Sequence, residues 1–374
     1  MHILIICHAY LLRANRKKLD ALSEIDDVKL SLIVPERWTD YIRDIPGVEN
    51  GGDERYKIYP LPVFFQGYEA KYFYKSFTLL LNGIRPDIIF VEQGSYALSY
   101  FQTIIYKKIF SQKSKIGYFT WVNIPYELNS IMKAVERYDF RNSDFAVAGN
   151  RDAEEILRMR GFDRPIKILP QLGIDPEIFK KNDSSLLKEK LGLEGFVIGY
   201  VGRLHTEKGI HLILTACDKI KDERFSILIV GGGEEKENLL IQAEKLNLSR
   251  KLSIVDTVPI ERVADYINCM DTLVLSSISH HRWREQFGHV LIEAMACEVP
   301  VIGSTCGEIA NVIGDGGLIF SENDEDGLYR HITFLLKNPE IGIILGKKGR
   351  ERVLSHFTHQ RIAKELVEFF KDIL

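Results

Sequence analysis

Several features that would assign this sequence of 374 residues quickly are missing from it. Cysteine is scarce: five residues, at 7, 217, 269, 297 and 306, none of them in a C-x-x-C pair. An odd, scattered set gives neither a disulfide framework nor a zinc site, and it suits a reducing compartment. A basic excess is also lacking, since 49 Lys and Arg stand against 52 Asp and Glu for a net charge of −3. That balance argues against a nucleic-acid partner. No apolar run reaches the roughly 18 residues of a spanning helix. The opening Met-His-Ile-Leu-Ile-Ile-Cys-His is too short, and lacks the cationic flank, for a signal sequence. The expected location is the cytoplasm, free or resting on the inner face of a membrane.

What is present is the makings of two α/β domains. A hydrophobic content of 45% with 27% charge is that of a globular chain. A chain of this length exceeds one ordinary core, so two domains of about 150–200 residues are expected. Ile3–Cys7, Val28–Val34, Lys57–Leu61, Asp87–Glu92, Lys115–Thr120 and Asp144–Ala148 are short apolar runs that read as buried strands. Several of the intervals can hold crossover helices, which makes the sheet parallel. Phe196–Val201, Phe225–Val230, Asp271–Leu275, Pro300–Gly303 and Gly317–Phe320 form a second series, after a polar, glycine-punctuated linker. The expected division is 1–178, a linker at 179–195, and 196–358, with a terminal helix at about 359–374. Ligands of parallel sheets bind beyond the carboxyl ends of the strands, so His8 and Asn123 are crevice candidates or ordinary loop residues.

Two stretches of the second series carry chemistry. In Gly202-Arg203-Leu-His-Thr-Glu-Lys208-Gly209, a glycine-containing loop joins a strand to a helix, a recurrent phosphate cradle to which Arg203 and Lys208 add positive charge. It is not a Walker A loop, because the glycine spacing and the Lys-Ser/Thr ending are absent. Glu285-Gln286-Phe287-Gly288 precedes a helical apolar pattern, with Glu293 inside that helix. Gly288 permits close backbone approach and the helix N-terminus favours an anion, while the two carboxylates can accept hydrogen bonds from sugar hydroxyls. Gly231-Gly232-Gly233-Glu-Glu repeats the strand-to-glycine arrangement more weakly. His280–Arg284 is too polar for a core and reads as the rim of the same site. Asp324-Glu325-Asp326 spells D-x-D but sits in a polar, solvated turn.

Glu285-Gln-Phe-Gly followed by Glu293 resembles the E-x7-E signature of retaining glycosyltransferases of family 4, and residues 201–210 resemble that family's diphosphate loop. Pro170-Gln-Leu-Gly-Ile-Asp175 is similar to the segment that ends its first domain, with Gln171 in an asparagine position. The resemblance implies an α/β protein of GT-B fold, with two Rossmann-like domains whose parallel sheets face a central cleft. It implies transfer of a sugar from a nucleotide-diphosphate sugar to a glycan or lipid-linked acceptor, without cofactor or metal. Gly202, Arg203, Lys208, Gly232, Val258, Glu285, Gln286, Phe287, Gly288 and Glu293 would bind the donor, with Glu285 on the sugar and Glu293 on the ribose. Glu285, Arg203, Lys208 and Asn123 would serve catalysis.

Two positions depart from the family pattern. Leu11–Asn15 stands where relatives have a glycine pair, and Asn123 is near the place of a histidine. A nucleotide-sugar epimerase and an inactive nucleotide-sugar binding protein are the competing readings. Residues 69–77 and 100–115 mix aromatics with lysines. They suit either interfacial helices touching a membrane or core-facing helices with solvated lysines.

Overall fold

Isoleucine, leucine and valine are concentrated in short runs, and in a computed structural model most of these runs are strands covered on both faces. The structure describes residues 1–39, 44–48, 55–75, 83–221 and 223–374. It divides into Met1–Gly173 with His359–Leu374, and Ile174–Thr358.

The strands of the first unit are β1 (His2–Ile6), β2 (Lys29–Pro35), β3 (Trp38–Thr39), β4 (Asp44–Ile45), β5 (Lys57–Leu61), β6 (Val63–Phe64), β7 (Phe73–Tyr74), β8 (Ile88–Val91), β9 (Lys115–Thr120), β10 (Phe145–Ala148) and β11 (Ile166–Ile168). Seven of them form one sheet in the order β11-β10-β9-β8-β1-β2-β5. Every pairing in it is parallel, with Leu4 opposite both Ser31 and Ile89. The order reverses between β1 and β8. β3–β4 and β6–β7 are small antiparallel ribbons. The helix His359–Ile373 belongs to this unit. Its Ile362, Leu366 and Phe370 are buried at helical spacing, and Phe370 packs on Phe90 and Phe145 at 5.4 and 5.2 Å.

A buried polar knot ties the first unit together. Lys18 Nζ and Glu92 Oε1 lie 2.7 Å apart with side chains 2% and 0% exposed. Tyr10 and Gln171 each donate to Glu92 Oε2 at 2.8 Å, and Trp121 Nε1 donates to Gln171 Oε1 at 3.0 Å. Gln171 therefore ties the end of the unit to the carboxyl end of β8. The lysine-aromatic stretch at 69–75 is turn and strand rather than the helix suggested by its composition, and residues 76 and 77 lie outside the described residues. The second such stretch is largely helical, Leu98–Phe110.

The second unit carries β12 (Phe196–Val201), β13 (Phe225–Val230), β14 (Leu252–Val255), β15 (Thr272–Leu275), β16 (Val301–Ser304) and β17 (Gly317–Phe320). They pair in parallel in the order β14-β13-β12-β15-β16-β17, which reverses between β12 and β15. Residues 174–178, expected in the first domain, lie in this unit. Residues 179–195, expected as a linker, are also folded into it. They contain the helix Ser185–Lys190, and Ser184 Oγ donates to Asn268 O at 2.6 Å while Glu194 N donates to Ser226 Oγ at 2.8 Å. Asp324 caps the helix Glu325–Lys337 by accepting from Gly327 N at 2.8 Å, and Asp326 pairs with Lys219 at 2.6 Å. The D-x-D spelling is thus a helix start whose acids are already engaged.

Candidate active site

A parallel strand delivers its C-terminal loop to one edge of the sheet, and the gap opens where the strand order reverses. In the second unit the loops after β12 and β15 meet at that reversal. The β12 loop runs from Gly202 through the turn Thr206–Lys208 into the helix Ile210–Asp218. The β15 loop runs from Ser276 to Gly288, where φ of +80° turns the chain into the helix His289–Ala296. Such a left-handed residue is accessible to glycine at little cost.

Lys208 and Glu285 close the gap between these loops. Lys208 Nζ lies 2.6 Å from Glu285 Oε2, with side chains 14% and 10% exposed. Ser277 Oγ donates to the same oxygen at 2.9 Å, and Lys208 Nζ sits 4.8 Å from the centre of the Trp283 ring. Trp283 is held by a backbone bridge to His280, whose ring stacks on it at 6.3 Å. Ser276 Oγ donates to Gly209 O at 2.9 Å, and Ile278 N donates to Glu207 O at 2.8 Å, which ties the loops together along their length.

The β13 loop completes the edge. A Cβ on Gly231 would stand 1.9 Å from Gly202 O, so the two glycine loops pack backbone to backbone as only glycine permits. Leu204 N donates to Gly232 O at 2.9 Å, and His205 pairs with Glu234 at 3.1 Å. Val258 follows β14 and is part-buried.

The site residues named from the sequence are placed as follows. Gly202, Arg203, Lys208, Gly232, Val258, Glu285, Gln286, Phe287 and Gly288 all lie on loops beyond the carboxyl ends of β12 to β15, and Glu293 lies in the helix that follows. Arg203 is exposed, and no ion pair is found for it among the described residues. Phe287 is buried, its ring 4.8 Å from His289 and 5.6 Å from Phe357, so its backbone rather than its ring is what a ligand can meet. Glu293 is half-buried, without a side-chain hydrogen bond among the described residues, and burial raises its carboxyl to about 7.

Asn123 belongs to the other unit. It is buried in the first unit after β9. At that unit's own strand reversal, Gln93 Nε2 lies 2.7 Å from His8 Nδ1, and His8 stacks on Trp38 at 4.5 Å. Sequence reading missed Ser277 and the role of Trp283. A serine two residues beyond a buried strand was the available signal for Ser277, while the placement of Trp283 depends on the turn that closes on it. Among the described residues no group of three or more His, Cys, Asp or Glu is placed to hold a metal ion.

Residues 183–352 match the family model of glycosyl transferases group 1. The chain is similar to the capsular polysaccharide biosynthesis glycosyltransferase CapM of Staphylococcus aureus, 33% identical over 207 residues, which are 54% of this chain and 53% of that protein. It is also similar to N-acetyl-alpha-D-glucosaminyl L-malate synthase of Bacillus anthracis, at 29% identity over 54% of this chain and 52% of that one. The chain thus spans about half the length of these relatives. Among solved structures, sucrose-phosphate synthase of Thermosynechococcus elongatus aligns with a TM-score of 0.72 at 20% identity, covering 100% of this chain and 99% of that one. Anabaena HepE in complex with UDP aligns with a TM-score of 0.73 at 16% identity, covering 100% of both chains. The fold is GT-B, and residues 183–352 are the part of it that matches glycosyl transferases group 1.

Proposed function

We propose that this chain is a retaining glycosyltransferase that moves a sugar, of hexose type, from a nucleotide-diphosphate sugar to a hydroxyl of a glycan or lipid-linked acceptor. The observation that carries the reading is the Lys208–Glu285 pair at the strand reversal, beside two glycine loops and a helix N-terminus. Within this pair each charge neutralises the other. An arriving diphosphate recruits the Lys208 ammonium, and Glu285, still held by Ser277, is freed to accept a hydrogen bond from a sugar hydroxyl. Arg203 is exposed and adds a second cation to the developing charge of the leaving diphosphate. Glu293 takes the ribose hydroxyls in this reading. Asn123 supplies an amide for a sugar hydroxyl, and as an amide it cannot act as acid or base.

By resemblance the acceptor attacks on the face that the diphosphate leaves, and the diphosphate takes its proton. Neither a protein nucleophile nor a metal is then needed. The complexes of HepE with UDP and with UDP-glucose make uridine diphosphate the first probe for this chain. Calorimetry with uridine, guanosine and adenosine diphosphates, followed by donor turnover with and without a glycan acceptor, tests the reading. Binding of one diphosphate and turnover that needs the acceptor are expected. Release of an altered sugar with no acceptor would instead make the chain an epimerase.

A further inference from the structure

Away from the strand-reversal sites, the first unit carries a surface on which charge has been sorted. From residue 93 to residue 126 the sequence contains no Asp or Glu, although these are 52 of the 374 residues overall. This span includes the helix Leu98–Phe110, which packs beside the helix Ser130–Asn142. In the second helix both acids, Glu136 and Asp139, are buried, while Lys133, Arg137 and Arg141 are all exposed. These cations recur every four residues and so form one row along the helix. Between residues 93 and 142 the one exposed acid is Glu127.

Beside the cationic row lies an apolar strip. Ile131, Ala134, Val135 and Tyr138 of one helix and Phe101 of the other line a shallow depression, with the Phe101 and Tyr138 rings 5.3 Å apart. Lys108 Nζ lies 4.8 Å from the centre of the Tyr138 ring. Ile105 and Ile109 continue the Phe101 row at four and eight residues, and they are 37% and 59% exposed, with Ile131 at 76%.

We propose that this face docks on an anionic lipid bilayer, with Ile105, Ile109 and Ile131 entering the headgroup boundary and Lys108, Lys133, Arg137 and Arg141 meeting lipid phosphates. A few protruding aliphatic side chains flanked by cations are what an interfacial helix requires. The strip is narrow for a stable protein interface, which takes about 800 Å² from each partner. A second copy would also bring like charges face to face. The inference is independent of the transfer reaction, because binding to vesicles is read without donor or acceptor.

The test is sedimentation of the full chain with vesicles of phosphatidylcholine alone, and of phosphatidylcholine mixed with phosphatidylglycerol. Sedimentation with the anionic vesicles only, reversed by salt, is expected. Each cation removed should weaken partitioning about fivefold, so Lys108→Gln, Lys133→Gln and Arg137→Gln together should cost about a hundredfold. Ile131→Ser alone should weaken it while leaving its salt dependence in place, and this single exposed change reads the proposal even if the triple variant fails to fold. Equal sedimentation with neutral vesicles would overturn the proposal. So would loss of binding on Phe65→Ser, in the exposed β6–β7 ribbon, with the triple variant unaffected. Self-association abolished by the triple variant, in a chain that ignores vesicles, would make the face a protein interface and overturn it equally.

Discussion

Lys208 and Glu285, 77 positions apart in sequence, form a 2.6 Å ion pair that spans the reversal of strand order in the second unit. Both charges are mostly out of water, so removing one leaves the other poorly compensated. Lys208→Ala should lower turnover by about 10²–10³, as expected for loss of one preorganised charge on the leaving group. It should also lower stability by about 1–3 kcal/mol, since Glu285 would retain Ser277 as a side-chain donor. Steady-state rates and urea unfolding measure the two effects. Normal turnover in a well-folded Lys208→Ala protein would remove the pair from the mechanism.

Turnover should survive EDTA. On the proposed reading, Arg203, Lys208 and the N-terminal end of the helix His289–Ala296 would provide the positive field for a leaving diphosphate. The assay is donor turnover in chelator, with manganese or magnesium added back. Activity that disappears and returns with either ion would overturn this mechanism.

The Lys18–Glu92 pair gives a stability prediction without catalytic content. Lys18→Met should cost about 3–5 kcal/mol, because it strands Glu92 inside the first unit with the neutral donors Tyr10 and Gln171 on its carboxylate. Lys18→Met combined with Glu92→Leu should recover most of that loss. Thermal or urea unfolding of both variants decides it, and a double variant no better than the single one would mean that the knot is held by something other than charge.

The sheets were legible in the sequence because their strands are buried on both faces and therefore read as continuous apolar runs. β11 and β14 were not, since Ile166–Ile168 is three residues with a lysine at its centre and Leu252–Val255 four with a serine, too short and mixed to stand out as apolar runs. The glycine loops were legible because close backbone packing imposes glycine locally, as a Cβ on Gly231 would stand 1.9 Å from Gly202 O. The Lys18–Glu92 pair joins residues 74 positions apart, and Ser277 reaches Glu285 through a folded loop, so neither leaves a local pattern. The lysine-aromatic composition misled over residues 69–75 because β7 pairs with β6 in a ribbon, where aromatics serve cross-strand packing such as Phe64 on Phe73 at 5.2 Å.

Glu293 should make stability fall as pH rises. Its folded carboxyl titrates near 7 because burial penalises the charge, above its ordinary value of 4.5. Between those two values the folded state holds a proton that the unfolded state has released, so the favourable contribution is full below about 4.5 and is lost by about 7. Glu293→Gln removes this dependence and should make the protein more stable at pH 8 by on the order of 2 kcal/mol, with little difference at pH 4.5. Melting curves of the variant and the parent chain across that range measure it. A gap that does not widen with pH would mean that Glu293 is not desolvated.

The two glutamates of the Glu285–Glu293 stretch should separate in binding and turnover. Glu293, without a side-chain partner among the described residues, is assigned to the ribose. Glu293→Gln should then weaken the bare nucleoside diphosphate and the whole donor alike. Glu285 is assigned to the sugar, but it also holds Lys208 at 2.6 Å. Glu285→Gln keeps the shape and an acceptor oxygen for Lys208, so diphosphate affinity should change little, and it should rise slightly if Lys208 is released to the phosphates. Turnover should fall, because the donor sugar loses its charged acceptor. A hydrogen bond to a charged group is worth about 1.5–3 kcal/mol, so each effect should be on the order of tenfold to a hundredfold. Calorimetry with the diphosphate, beside steady-state rates with the donor, reads both. Equal loss of diphosphate affinity in the two variants would reverse the assignment, and unchanged binding and rate in both would place the active site elsewhere in the chain.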